Sequence, residues 1–250
     1  MELTRAMNPH RIAAATAALL AAGALVSCSA DHDTAFAPAS LGPTVTAPPT
    51  PTGAVITDSS TLQAALLTAP GLPPGFAAMA DAAPPLERTG PTAAPPPNRS
   101  HTDPAECAGV LAPLDQHKGS ASHGVARYGG PDFSGIDIDA ASYPESGAAQ
   151  TFAAVQTLFR RCGHYSGTDA DGVHVDYRLG ALDQPAVGDA STSVRLTTTS
   201  DGFTLTSDVV VAVVGSTVVQ VAATGQRPID PKVLTGLATL QVDRLRTVRR

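Results

Sequence analysis

Two short dipeptides in the last third of the chain constrain its fold more than any other feature. Asp201-Gly202 and Gly215-Ser216 have the composition of two-residue hairpin turns. They separate three runs with strand composition, which are residues 193–199, 203–214 and 218–223. Because a two-residue turn joins strands that run in opposite directions, the sequence predicts an antiparallel meander of three consecutive strands.

The preceding residues alternate between strand and helix patterns. Three more strands are predicted at residues 122–128, 133–140 and 173–179. Helices are predicted at residues 59–68, in a short element around Cys107, at residues 146–161, and from Asp230-Pro231 onward. The predicted fold class is α+β, with a single antiparallel sheet of about six strands and helices packed on one face.

The first 27 residues have the three parts of a secretory signal peptide. A basic start is followed by an apolar run from residue 12 to residue 26, which is too short to span a bilayer as a helix. Leu25-Val26-Ser27-Cys28 is similar to a bacterial lipobox, after which the cysteine is acylated and becomes the new amino terminus. We therefore expect Cys28 to carry a lipid anchor; the alternative is an ordinary signal peptide with an incidental cysteine.

Composition divides the rest of the chain into a tether and one domain. Residues 28–57 are rich in Pro, Thr and Ala, and are predicted to form a disordered tether that begins at the acylated Cys28. Residues 58–250 are long enough for a single domain with a substantial core. A Pro-rich stretch at about residues 83–103 is predicted to be an exposed loop within that domain.

Residue usage and net charge indicate the type of source genome and the class of partner. Two lysines against fourteen arginines, with abundant Ala, Gly and Pro, indicate a GC-rich bacterial genome. Removal of the signal peptide takes the formal charge from −6 to about −7, which argues against a nucleic-acid partner. The predicted location is the outer face of the cell membrane, with the membrane itself as a partner through the lipid anchor.

Two cysteines remain after Cys28 is assigned to the lipid. Cys107 and Cys162 form an even pair in a compartment where disulfide bonds persist. A bond between them would close a loop of about 56 residues and restrict the unfolded chain by roughly 4 kcal/mol. The alternatives are a reactive thiol or a metal ligand, although neither cysteine has a second one at C-x-x-C spacing.

Several groups of polar residues are candidates for catalytic or metal sites. In residues 163–167 the serine, Ser166, is at the fourth position and misses the G-x-S-x-G spacing, so a loop after the helix is expected. Asp169 and Asp171 precede Gly172 as in calcium loops, but the later ligands are missing and a turn is expected. The four histidines of this region match no zinc pattern, and they are His117, His123, His164 and His174.

Asp137 and Asp139 are predicted to lie on the same face of a strand. A pair of carboxylates can act as acid and base, but here they are expected to keep a sheet face soluble, since nothing in the sequence places a cleft over them. The sequence predicts no catalytic residue, no metal site and no cofactor.

A series of short motifs extends along residues 58–250. The motifs are Leu66-Leu67, Leu72-Pro73-Pro74-Gly75-Phe76, Pro104 before Cys107, Ala148-Ala149, Phe152, Leu158, Cys162, Gly188-Asp189-Ala190-Ser191 and the paired strands around Gly215. Together they resemble one bacterial family, the PknH-type extracellular sensor domain of actinobacterial kinases and lipoproteins. This chain departs from the kinase version because it has no kinase domain, no tryptophan and one cysteine pair instead of two. The resemblance implies a ligand-binding cleft on a helix-backed sheet and a bond between Cys107 and Cys162.

Three functional classes follow from these observations. The first is a lipid-anchored, non-catalytic sensor that binds a small-molecule, lipid or cell-envelope ligand outside the cytoplasm. The second is a carrier of envelope lipids or other hydrophobic ligands. The third is a cell-envelope hydrolase, which requires Ser166 or the pair Asp169 and Asp171 to lie in a deep pocket.

Overall fold

The protein folds around one antiparallel sheet, seen in a computed structural model that describes residues 40–79 and 99–248. The described strands are β1 (Ala77–Ala78), β2 (His101–Asp103), β3 (Ser122–Gly129), β4 (Gly135–Ser142), β5 (His164–Thr168), β6 (His174–Ala181), β7 (Ala190–Ser200), β8 (Phe203–Val214) and β9 (Thr217–Gly225). The described α-helices are α1 (Ser59–Ala64), α2 (Gly147–Arg161) and α3 (Pro231–Val248). The strand order across the sheet is β1-β3-β4-β9-β8-β7-β6-β5-β2.

The predicted meander forms the middle of this sheet. Ser200 pairs with Phe203 across the first turn, and Val214 pairs with Thr217 across the second. Asp201 and Gly202 both have positive φ, 46° and 79°, as a turn that matches the twist of the strands requires.

Helices cover both faces of the sheet. On the face that we call the α3 face, α1 and α3 pack over Ile138, Val210 and Val221. On the opposite face, the α2 face, the aromatic rings of α2 pack over Val209 and Val211. The continuous run from residue 209 to residue 214 is buried because each successive side chain meets a covered face.

The predicted fold class is confirmed, and three details differ from the prediction. The described sheet has nine strands instead of about six, because β1 and β2 are only two and three residues long and β5 occupies the segment predicted as a loop after the helix. Helices lie on both faces instead of one. The predicted helix around Cys107 is a short 3-10 turn, Ala105–Gly109, and the first helix ends at Ala64.

The amino-terminal segment, which we define as residues 40–57, lies along the domain. The Gln156 amide donates to Val45 O at 2.9 Å and accepts from Val45 N at 2.8 Å. Ile56 N donates to the Ser142 hydroxyl at 3.1 Å. This part of the predicted tether therefore packs on the domain instead of standing free, whereas residues 1–39, including Cys28, lie outside the described residues.

A disulfide bond joins Cys107 to Cys162, as predicted. Both cysteines are buried, the first in the turn Ala105–Gly109 and the second directly after the last residue of α2. The bond therefore fixes the loop before β3 against the end of α2.

No helix within the described ranges is both long enough and apolar enough to cross a membrane. Most of the predicted Pro-rich loop, residues 80–98, lies outside the described residues, and its end contributes β2.

Candidate functional site

The residues of the hydrolase hypothesis lie on an open part of the α3 face. Ser166 on β5 pairs with Asp176 on β6, and His164 Nε2 donates a 2.7 Å hydrogen bond to the Asp176 carboxylate. His164 is exposed and Ser166 is only partly buried, and neither lines any of the clefts described below. None of these clefts, which lie within the described residues, gives Ser166 the deep pocket that this hypothesis requires.

Asp169 and Asp171 form the turn that leads into β6, as predicted. One Asp169 oxygen accepts from the backbone N–H groups of Asp171 and Val173, both at 2.9 Å. These bonds use the carboxylate to close the turn, which is a structural role.

The four predicted histidines do not gather around a common point. His123 lies 3.9 Å from Asp115, and His164 pairs with Asp176 on the opposite side of the sheet from α2. In the described ranges no three His, Cys, Asp or Glu side chains are close enough to hold a metal ion.

Asp137 and Asp139 lie on the α2 face, side by side as predicted, but the structure places a cleft over them. We call this cleft of about 190 Å³ the carboxylate cleft. It is lined by Leu111, Pro113, Val125, Arg127, Asp137, Ile138, Asp139, Gln220, Ala222 and Thr224. The expectation that nothing covers these carboxylates was wrong, because the loop containing Leu111 and Pro113 folds back over the sheet.

Asp139 holds that loop in place. One of its oxygens accepts from the backbone N–H of Leu114 at 2.8 Å, and Tyr143 donates to the carbonyl of the same residue at 2.7 Å. Asp137, one step along the strand on the same face, faces Arg127 with a nitrogen–oxygen distance of 3.6 Å. The floor of the cleft is therefore fixed by β3 and β4, and one wall is fixed by Asp139 itself.

Gln220 on β9 is a candidate site residue that the sequence reasoning missed. It pairs directly with Asp139 across the two strands and is only 7% exposed. Among the described residues, none makes a hydrogen bond with its amide. Thr217 Oγ1 is the one described side-chain atom that is both inaccessible to solvent and without a hydrogen bond. The unpaired amide atoms of Gln220 are therefore accessible, and Gln220 lines the cleft.

Three other glutamines show what such an amide does when it is structural. Gln63, Gln156 and Gln241 each donate one hydrogen bond to a backbone carbonyl and accept one from a backbone N–H. Each side-chain amide therefore pairs with the backbone in the same way as a backbone amide does in a sheet. Gln220, at 7% exposure against 3% for Gln156, has neither partner among the described residues, although buried polar groups are rarely left without one.

Burial perturbs both carboxylates of the cleft. It raises the pKa of Asp137, and the Arg127 guanidinium partly opposes that rise. Burial also raises the pKa of Asp139; the hydrogen bond from Leu114 opposes the rise, and the negative charge of Asp115 adds to it. The ionised carboxylates are thus less favourable here than in water, as is common at binding sites.

Three larger clefts differ from the carboxylate cleft in their lining. One of about 340 Å³ on the α3 face is mainly apolar and lies between Phe76, Pro131 and Val233. One of about 220 Å³ lies between the amino-terminal segment and β7. A third, shallow and polar, follows the edge of β3, where Gln63 occupies the backbone groups of Val125.

Comparisons with known proteins identify one family and several similar solved structures, two of which are described here. The model of a family described as the PknH-like extracellular domain matches residues 57–240. The crystal structure of the extracellular domain of PknH from Mycobacterium tuberculosis is similar at a TM-score of 0.55, with 13% identity over 78% of this chain and 99% of that chain. The Rv0999 ortholog of Mycobacterium smegmatis is 13% identical over 78% of this chain and 98% of that one, with a TM-score of 0.36. No curated protein matches the chain significantly. At this identity, the likeness to the first structure concerns the fold alone.

Proposed function

Because the chain belongs to the PknH-like extracellular domain family, we propose that it is a non-catalytic sensor domain that binds a small polar ligand in the carboxylate cleft. Its family and its disulfide bond indicate an extracytoplasmic type of domain. The cleft is smaller than the roughly 300–1,000 Å³ of sites for drug-sized molecules. It therefore suits a small ligand, or one polar group of a larger envelope molecule.

The single observation that supports this function is the buried, unpartnered amide of Gln220. Because the Gln220 amide reaches the cleft, leaving it without a protein partner costs folding free energy in the lower part of the range for an unpaired amide, about 0.5–1.5 kcal/mol. Valine or leucine would fit the surrounding apolar residues of β8 and β9 without that cost. A ligand that forms the missing hydrogen bond would explain why a glutamine occurs at this position in spite of its cost.

We further propose that acylated Cys28 anchors the domain to the outer face of the cell membrane. The lipobox pattern and the extracytoplasmic type of the domain support this location. Mass spectrometry of the purified protein is expected to give an amino-terminal Cys28 peptide with acyl chains, and Cys28→Ser should move the protein to the soluble fraction. An uncleaved leader with an unmodified thiol would contradict the anchor.

The experiment that tests ligand binding is thermal unfolding with fractionated, water-soluble cell-envelope extract. A ligand at 100 times its dissociation constant stabilises a folded protein by about 2.7 kcal/mol, so an active fraction should raise Tm visibly. Gln220→Leu should abolish that rise. The matched control is Gln150→Leu, at an exposed amide on α2 that bonds only Ser146 among the described residues, and it should leave the rise unchanged.

Two results would contradict the proposal. One is a Tm that no fraction moves. The other is a rise in Tm that Gln220→Leu leaves intact, because the ligand would then bind elsewhere. The carrier hypothesis is separated from this one by native mass spectrometry, which should show co-purified lipid only if the apolar cleft near Phe76 and Val233 holds acyl chains.

A further inference from the structure

Three side-chain acceptors face the carboxylate cleft, together with donors on Arg127, Gln220 and Thr224. Asp139 uses one oxygen for the Leu114 N–H, which leaves its other oxygen without a donor among the described residues. Asp137 has no hydrogen bond within the described part of the chain, since its contact with Arg127 is 3.6 Å long. The Gln220 carbonyl oxygen adds a third acceptor.

We propose that the carboxylate cleft selects ligands that present a protonated amine, whose three N–H donors are received by Asp137, Asp139 and Gln220. This inference rests on the proposed function, because it names the chemistry of the ligand for the same site. An ammonium group carries three donors and no acceptor, so it is complementary to three free acceptors.

The strand register places these acceptors at suitable separations. Asp139 and Gln220 are direct cross-strand partners, whose β-carbons lie about 4.5–5.5 Å apart in such pairs. Asp137 is two residues along β4 on the same face, about 6.5–7 Å away by strand geometry. A nitrogen between the three side chains can therefore lie at charge-assisted hydrogen-bond distance, about 2.7–2.9 Å, from each carboxylate.

The charge balance of the cleft favours a cation. Asp137, Asp139 and nearby Asp115 bring three carboxylates, against the half-exposed guanidinium of Arg127 and the exposed His123. Burial makes the two carboxylates of the cleft reluctant to ionise, and a bound ammonium would remove that penalty by supplying the opposite charge. An anionic ligand would add to the repulsion instead.

A hard metal ion fits the same residues less well. Calcium takes six to eight oxygen ligands and magnesium demands near-octahedral geometry. The cleft brings two carboxylates and one amide oxygen, and no cluster of three potential metal-ligating His, Cys, Asp or Glu residues occurs among the described residues. A single ammonium needs only the three acceptors that are present.

The test compares amines with their acetylated forms, which differ only at the nitrogen. Glucosamine with N-acetylglucosamine and ethanolamine with N-acetylethanolamine are titrated into the full mature protein by calorimetry, and calcium chloride is titrated separately. At least one amine should bind at least tenfold more tightly than its acetylated form. Asp139→Asn should lose at least tenfold in affinity, whereas Asp171→Asn, which removes the same charge from an exposed turn, should not change it.

The outcomes separate this inference from the function on which it rests. Equal binding of amine and acetylated probe, or retention of amine affinity in Asp139→Asn, overturns the ammonium assignment. So does calcium binding that depends on Asp139. If no amine binds while an envelope fraction still raises Tm in a Gln220-dependent manner, the ammonium assignment fails and the sensor function stands. If neither occurs, both fail.

Discussion

Replacing Gln220 with leucine should make the ligand-free protein more stable, whereas the same change at Gln241 should make it less stable. Both amides lie among apolar side chains, at 7% and 0% exposure. They differ in hydrogen bonding, because Gln241 joins α3 to the end of α1 through two bonds and Gln220 has none within the described residues. The sign of the change therefore reports whether each amide has a partner.

The expected change in the free energy of unfolding depends on which backbone groups lose a hydrogen-bond partner in each variant. In Gln241→Leu, the buried N–H of Leu67 loses its acceptor, which was 2.8 Å away, at a cost of roughly 1–3 kcal/mol. The carbonyl of Ala65 is not orphaned, because Arg244 Nε still donates to it at 3.1 Å. In Gln220→Leu no partner is orphaned, and the amide touches the cleft, so the gain should be about 0.5–1.5 kcal/mol, the lower part of the range for an unpaired amide.

Urea unfolding followed by circular dichroism measures both changes without ligand. The slope of the free energy against urea should stay constant between variants, so that a shifted midpoint reports stability alone. Gln150→Leu on the exposed side of α2 should lie within about 0.5 kcal/mol of the wild type, as surface substitutions usually do. A loss of more than about 1 kcal/mol in Gln220→Leu would mean that the amide is hydrogen-bonded in the free protein. That result would refute the reasoning behind the cleft.

Three further predictions concern the same framework. Cys107→Ser should cost about 4 kcal/mol, because the cross-link closes a long loop, and urea unfolding of wild type with and without reductant should show the same difference. Gln63→Leu should cost about 1 kcal/mol and promote self-association, measurable by sedimentation, because it uncovers the Val125 N–H and C=O at the edge of β3. Asp139→Asn should be more stable than wild type at neutral pH, because burial holds the pKa of this carboxyl above its usual 3.8 and its ionisation opposes folding. That advantage should disappear as the pH falls through the raised pKa towards 3.8, which unfolding measurements across this pH range would check.

Local patterns were sufficient for the elements in the middle of the chain. The turns at Gly202 and Gly215, the helix that ends at Arg161 and the last helix were all predicted close to their observed bounds. Each has a signal within a few residues, either a turn dipeptide or a helical period with suitable ends.

Features that depend on distant parts of the chain were not predictable in this way. The strand β5 has no apolar run and is recognised only by its pairing with β6 and β2. The unbroken apolar run at residues 209–214, which contains five valines and Ala212, indicates burial on both faces, but periodicity alone does not say what covers them. The amino-terminal segment has the composition of a linker, and its position is decided by Gln156, more than a hundred residues later.

The sequence predicted the two carboxylates of the candidate site but not the glutamine opposite them. The alternation of Asp137 and Asp139 with isoleucines correctly placed both carboxylates on one face. Gln220 is the lone polar residue in the run Val-Val-Gln-Val-Ala-Ala, which was an available signal for a buried polar position. That it lies opposite Asp139 under the Leu111 loop depends on strand order and loop path, which one sequence does not encode locally.

The position of the amino-terminal segment also determines when it can fold. Its contacts lie far ahead in the chain, since the Ser142 hydroxyl accepts from Ile56 and the Ser216 hydroxyl donates to the carbonyl of Ala54, 162 positions earlier. Because synthesis proceeds from the amino terminus, this segment is made early and its partners are made late. It is therefore among the last parts of the domain to be secured, since Ser216 has to be synthesised before it can bond Ala54.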